Sequence, residues 1–320
     1  MARPSRFFKS FSRLIIPLVV LIVGTLAGSS VWLAYSIAHP EPTRYLIKPE
    51  QYGRLSARAA QISEETWTNR DGSASSAWLL KGLENAPAVV LLHRYGADRS
   101  HLLDIGVKIN EATNFTILMP DFRGHGESAG GRNCSFGGCE SEDILNAIEF
   151  LRGLRTPTQV ALVGKDIGIY GIEAGSLTAL AVAAKDPSVK ALVLDSVPAD
   201  SNELLAQLVE RRYPFLSAVT GRLAGLGTYL YFYDGCYRRE SSCSTAKTLA
   251  DRRVLLLGGL DAPVYRDSTL QVSKCFPPST SVETKLDLSP SGMNILNVSL
   301  EQSAAYHQRL IDFFRDALAR

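Results

Sequence analysis

The chain has 320 residues, 46% of them apolar and 21% charged, with a formal net charge of +2. That balance excludes a disordered chain and leaves room for one large α/β domain or two small ones. The basic residues are dispersed rather than gathered into a patch, so no nucleic-acid partner is expected.

Arg3, Arg6, Lys9 and Arg13 precede an uncharged run from Leu14 to Ala38. A helix of that length crosses a hydrocarbon core of about 30 Å. Cations on its leading flank favour a cytoplasmic N-terminus and a translocated remainder. Residues 1–13 are therefore expected in the cytoplasm, 14–38 as a single-pass membrane anchor and 39–59 as a polar linker. The main domain, 60–320, is then extracytoplasmic. Ser36-Ile37-Ala38 also has the small residues of a processing site, so secretion after signal cleavage is the alternative. Against it, the apolar run exceeds the roughly 7 to 15 residues of a signal core.

Two strand-like runs, 62–69 and 77–81, flank Asp71-Gly72, a hairpin signal. From Pro87 onward, "PAVVLLH", "FTILMPD", "IGIYGI", "KALVLDSV" and "RRVLLLGGLD" alternate with helix-like sequence such as "SEDILNAIEFLRGL" and "SLTALAVAAKD". Strands that are apolar throughout belong to a parallel sheet buried on both faces. Their alternation with helices predicts a doubly wound, mostly parallel α/β sheet whose functional loops gather at the strand carboxyl ends. Between 199 and 250 the alternation stops. Helical, aromatic-rich sequence there reads as an insertion over the sheet, either extra packing or a substrate-selective lid.

The chain has five cysteines. Cys134 with Cys139, and Cys236 with Cys243, could each close a short loop in an oxidising compartment, leaving Cys275 over; free or buried thiols are the alternative. Their spacings are not those of a tetrahedral zinc site, and no glycine-rich nucleotide fingerprint occurs. No metal or organic cofactor is expected.

Four motifs follow one another: "LLHRYGADRS" (91–100), a strand ending in His-x-x-Gly; "PDFRGHGES" (120–128); "YGIEAGSLTAL" (170–180); and "LLLGGLDAPV" (255–264), which carries Asp261. The third contains Gly171-Ile172-Glu173-Ala174-Gly175, the small-x-X-x-small outline of a nucleophile elbow. Small residues two places from the tip let strand and helix approach. In this order, over residues 60–320, the motifs resemble the α/β-hydrolase superfamily, most closely its serine-peptidase and esterase-like branch. The resemblance implies an α/β-hydrolase fold, an oxyanion-hole loop at Arg94, Tyr95 and Ala174, a nucleophile at position 173, and Asp261 as the triad acid. It also implies a histidine in the loop after the last strand, "VETKLDL".

The chain departs from that pattern twice. The tip holds Glu173, and the position aligned with histidine holds Met293, flanked by Gly292 and Asn294; none of the three can accept a nucleophile's proton. His307 falls in "SAAYHQRLIDFF", with the period of a packed terminal helix. His93 and His125 read as structural or as shaping the oxyanion loop. Ser176, three residues past the tip, lies on the following helix and lacks a nucleophile's frame.

Glu173 as a nucleophile would parallel the elbow aspartates of some superfamily members, but hydrolysis of its ester would need a histidine-activated water. At the positive end of the following helix, beside backbone N–H groups, a carboxylate is instead stabilised. Glu173 is therefore expected to fill the oxyanion hole, bonded to N–H groups around Ala174 and Tyr95 or paired with Arg94. The functional expectation is a membrane-anchored α/β-hydrolase-fold protein without serine-hydrolase activity, acting by binding a small molecule, peptide or partner. An active hydrolase of ester or amide-type bonds with an atypical site is the first alternative, and an envelope interaction protein with a closed pocket the second.

Overall fold

The computed structural model of the protein describes residues 6–41, 43–52, 61–126, 133–214 and 217–318. Part of the expected linker, 53–59, and the end of the second motif, Glu127 and Ser128, lie outside the described residues.

The chain begins with helix α1 (Arg6–Ala38), the short helix α2 (Pro49–Tyr52) and an antiparallel hairpin, β1 (Ile62–Thr68) and β2 (Ala74–Leu80). Asp71 caps its turn, its carboxylate accepting from Ser73 N–H at 3.0 Å. Strands and helices then alternate: β3 (Ala86–Leu92), α3 (Leu103–Thr113), β4 (Thr116–Pro120), α4 (Cys139–Gly153), β5 (Val163–Ile172), α5 (Ala174–Lys185) and β6 (Val189–Asp195). Three helices follow, α6 (Ser201–Arg212), α7 (Ser217–Tyr231) and α8 (Ser242–Ala246). The chain closes with β7 (Arg253–Gly259), α9 (Pro263–Ser273), β8 (Ser281–Leu288) and α10 (Leu300–Leu318).

The eight strands form one sheet in the order β1-β2-β4-β3-β5-β6-β7-β8, parallel from β4 to β8. The chain leaves β3 on one side for β4 and returns on the other as β5. This reversal opens a crevice at the carboxyl ends of β3 and β5, where doubly wound sheets bind ligands. Register aligns those ends: Leu92 pairs with Gly171, Gly171 with Leu194, and Ile172 with Asp195. The residues that follow therefore emerge side by side on one edge. Alternate strand residues serve two cores, Val90, Leu92, Ile169 and Leu194 on one face and Val89, Leu91, Tyr170 and Val193 on the other. Both faces are covered, which is why the strands read as unbroken apolar runs.

Two compact units divide the chain. The sheet and its helices form one, from Ala38 to Leu204 and from Cys236 onward. The other unites α1, up to Ile37, with Leu205–Gly235. Most of the expected insertion thus groups with the N-terminal helix. Helical periodicity reveals an apolar face but not the surface that covers it.

The cysteines correct the expectation of short loops. Cys139 is bonded to Cys236 and Cys243 to Cys275, with Cα separations of 5.0 and 5.3 Å, while Cys134 is a buried free thiol. Tertiary approach decides the pairing. A Cβ on Gly138 would fall 1.5 Å from the Cys236 carbonyl oxygen, so the two backbone segments touch where the first bond forms.

Candidate active site

The elbow is built as its small residues require. A Cβ on Gly171 would lie 2.3 Å from the Gly175 carbonyl oxygen, and one on Gly175 would lie 2.4 Å from that of Leu92. Any larger residue at either position would push the strand away from the helix or from β3. Between them Glu173 has φ 52° and ψ −107°, a conformation that costs a non-glycine residue about 1–3 kcal/mol and persists only where the surroundings enforce it. Backbone bonds enforce it here: Glu173 N–H donates to the Asp195 carbonyl at 3.0 Å, and the Glu173 carbonyl accepts from Ser176 N–H at 3.0 Å. Ser176 Oγ donates to that same carbonyl at 2.6 Å. The Ser176 hydroxyl is thus committed to the backbone of the turn.

The Glu173 side chain is buried. Its Oε2 accepts from Tyr95 N–H at 3.1 Å and its Oε1 from the Tyr265 hydroxyl at 3.2 Å. It makes no capping bond to α5, which begins at Ala174. The carboxylate is thus turned away from the N–H groups of its own helix and toward the β3 loop and α9. Arg94 does not reach it; its guanidinium donates to the Tyr95 carbonyl at 3.3 Å. Of the two expected arrangements, the structure contains the Tyr95 contact but neither the Ala174 bond nor the Arg94 pair. Tyr265, which sequence reading missed, takes their place.

Asp261 ends the tight turn after β7, where a Cβ on Gly259 would lie 2.0 Å from its Oδ1. Its carboxylate accepts from Ser291 N–H at 3.1 Å, from Ser291 Oγ at 3.0 Å and from Asn294 Nδ2 at 2.6 Å. Asn294, rather than Met293, is the loop residue whose side chain reaches the acid. Met293 lines a cavity of about 360 Å³ together with His93, Arg94, His101, Ile172 and Leu296. Gly292 has no room for a side chain, because a Cβ there would lie 2.8 Å from the hydroxyls of both Tyr170 and Tyr306.

A second carboxylate, Asp195 at the carboxyl end of β6, escaped the sequence reading. It is buried and accepts from the Tyr306 hydroxyl at 2.6 Å, Ser196 Oγ at 2.7 Å and Gly292 N–H at 2.8 Å. Burial raises its pKa above the usual carboxylate range, and the Tyr306, Ser196 and Gly292 bonds work against that. Tyr170 donates to or accepts from Tyr306 at 2.8 Å, so β5, β6, α10 and the loop after β8 are tied through one polar cluster. The available signal was its place, an acid ending an apolar strand at the sheet edge where function collects.

His93 and His125 hold the first two motifs together. His93 Nδ1–H donates to the Arg94 carbonyl at 2.8 Å, and its Nε2 accepts from Phe122 N–H at 3.1 Å. His125 Nδ1–H donates to the Arg123 carbonyl at 3.1 Å, and its Nε2 accepts from Gly96 N–H at 3.0 Å. Every ring nitrogen is occupied by backbone, which leaves neither ring free for proton transfer to a nucleophile. Burial lowers both pKa values to about 4. Both rings are neutral when folded, whereas an unfolded histidine titrates near 6.5. Their contribution is complete above pH ~6.5 and is lost as pH falls toward 4, by roughly 2–3 kcal/mol each. Urea unfolding at pH 7.5 and 4.5 should show that loss, with a shallower pH slope in His125→Gln. A slope unchanged by the substitution would sink this account. His307 lies on α10, buried, with Nδ1 3.1 Å from Lys108 Nζ and 3.3 Å from Asp104, far in sequence and in contacts from the elbow.

Comparison with known proteins fits this geometry. A family model for the alpha/beta hydrolase fold matches residues 87–225. A thiohydrolase, AneE, of Aspergillus aculeatus is 26% identical over 166 residues, 49% of this chain and 51% of that protein. A 31.7 kDa Escherichia coli protein from the traX-finO intergenic region is 28% identical over 119 residues, 37% of this chain and 40% of that one. The chain spans about half, or less, of the length of these relatives. Among solved structures, the Pyrococcus furiosus esterase Pf2001 superposes with a TM-score of 0.67 at 17% identity, covering 88% of this chain and 98% of that one. A thermostable carboxyl esterase of Bacillus coagulans gives 0.59 at 16% identity, covering 80% of this chain and 99% of that one. At such identities the likeness is one of fold. Sheet order, elbow, acid turn and family match agree, and the chain has the α/β-hydrolase fold.

Proposed function

We propose that this chain is a membrane-anchored α/β-hydrolase-fold protein that does not act as a serine hydrolase and works by binding a ligand at the carboxyl edge of its sheet. The carrying observation is the Glu173 carboxylate, buried at the elbow tip and bonded to the Tyr95 N–H. That N–H belongs to the loop which, in an acyl-transfer enzyme, stabilises the developing oxyanion. A carboxylate oxygen on it leaves no place for a substrate's. The cavity beside it is walled by Ile172, Met293 and Leu296, and Arg94 adds a cation that forms no ion pair among the described residues. Such a wall suits a small apolar molecule or peptide end bearing an acid group. The anchor is supported by α1, whose Ile15–Ala38 segment is long and apolar enough to span a membrane. An extracytoplasmic domain is supported by the two disulfides and by the cations that precede the span.

The test is a fluorophosphonate probe, with a panel of activated esters and peptides. No labelling and no turnover are expected; labelling of any serine overturns the proposal. One observation favours a second reading: the elbow keeps the strained conformation that presents a nucleophile, although Glu173 is a poor one. An active enzyme of that kind would turn over esters in the same panel and lose all turnover in Glu173→Gln.

A further inference from the structure

Helix α1 changes character along its length. From Ile16 to Gly28 every residue is exposed, although nearly all are apolar. From Ser30 onward it packs on α7. Ser30 Oγ donates to the Leu223 carbonyl, and a Cβ on Gly227 would lie 2.0 Å from the Ser30 carbonyl oxygen, so the two backbones are in contact. The Trp32 and Tyr213 rings lie 5.7 Å apart, and those of Tyr35 and Tyr231 5.9 Å. Close crossing over a glycine with a serine hydrogen bond is how helices associate in lipid, where apolar surface alone gives no preference for protein.

An exposed face of α7, beside the residues that touch α1, is also largely apolar. Val219, Leu226, Tyr229 and Leu230 follow a helical stripe that Tyr233 continues, and they are 58%, 63%, 62%, 61% and 88% exposed. Arg222, the single charged residue of this 15-residue helix, is exposed on the same stripe, one turn from both Val219 and Leu226, where a long side chain can carry its charge up to the headgroups. Depth decides what covers the stripe. Ser30 stands eight residues before the end of the Ile15–Ala38 span, about 12 Å at 1.5 Å per residue. Interfacial helices sink to a comparable depth, about 5–10 Å into the headgroup and acyl boundary. Trp32 and Tyr35 follow Ser30 on α1 and sit against Tyr213 and Tyr231, with Tyr229 and Tyr233 flanking Tyr231 in the chain, and aromatic rings gather at membrane–water boundaries.

We infer that α7 is a second membrane element: it lies in the leaflet at the C-terminal end of α1, with Leu226, Tyr229, Leu230 and Tyr233 against lipid. This rests on the anchor reading of α1 and adds to it a lipid-embedded helix contributed by the middle of the chain. The stripe lies on the helix whose backbone touches the membrane-spanning segment of α1 at Ser30, directly after that segment's fully exposed apolar run, and this points to lipid rather than to a protein partner.

The test uses the full-length protein, purified and reconstituted in phosphatidylcholine vesicles with no other protein present. Leu226→Cys and Leu230→Cys are compared with Leu83→Cys, an exposed position on the loop between β2 and β3. A membrane-impermeant maleimide should label the first two at least ~10-fold more slowly than the third, because the reactive thiolate is disfavoured out of water. Detergent should narrow the gap. Equal labelling in floating vesicles overturns the inference while leaving the α1 anchor standing. Protein that fails to float with the vesicles overturns both.

Discussion

A protein carrying both Glu173→Ser and Asn294→His should hydrolyse p-nitrophenyl esters faster than the natural chain. The first change removes the oxygen bonded to Tyr95 N–H and places a hydroxyl on a turn already strained for presenting one. Restoring access to an oxyanion donor is worth roughly 10²–10³ in rate. The second change puts an imidazole where an amide already donates to Asp261 at 2.6 Å, and a general base adds roughly 10²–10⁴. Glu173→Ser with Met293→His is the informative control, since Met293 faces the cavity whereas Asn294 touches the acid. Higher activity at 294 than at 293 is the expected order. A folded double variant no faster than the natural chain would mean that more than two side chains separate this site from a working triad. The cost to folding is modest: the Tyr265 hydroxyl loses an acceptor, worth about 1–3 kcal/mol.

Arg99→Met should lower stability by about 3–5 kcal/mol, because it leaves a buried carboxylate without its cation. Arg99 is wholly buried in the turn that follows the first motif's loop. Its Nε lies 3.3 Å from Asp121 Oδ2, its Nη2 donates to Glu64 at 2.7 Å, and its backbone N–H donates to Asp121 Oδ1 at 2.8 Å. Its guanidinium stands 4.8 Å from the Trp78 ring centroid and 5.1 Å from that of Tyr45. Tyr45 in turn donates to Asp121 at 2.6 Å. A thermal midpoint lower by on the order of 10 °C follows for a domain of this size. Arg99→Lys should recover only part of the loss, since an ammonium cannot serve two carboxylates and two rings with one planar fork. Adding Asp121→Asn to Arg99→Met should cost less than the two single changes summed. Strict additivity would show that the pair is not coupled.

This pair marks the boundary of what the sequence discloses. The parallel strands were legible because burial on both faces forbids polar residues along them, and the elbow because two backbone approaches forbid side chains at Gly171 and Gly175. Asp261 was legible from its turn. Arg99 and Asp121, by contrast, look like ordinary loop charges until tertiary structure closes over them. Tyr265 was invisible for the same reason, since it lies 92 residues from Glu173 and no local pattern links them. Cysteine spacing misled because a short loop is entropically easy to close, but closure needs two thiols that face each other. The partnership of α1 with α7 could not be read either, because two apolar helices carry no address for one another.

The bond between Cys139 and Cys236 has a topological consequence. It closes a ring of chain that contains β5, the elbow, β6 and the whole of α6 and α7. Cutting any single peptide link within that ring opens it without dividing the molecule. A protease acting on the α6–α7 segment would therefore produce a nicked protein that runs as one species without reductant and as two fragments with it, each half held to the other through sulfur.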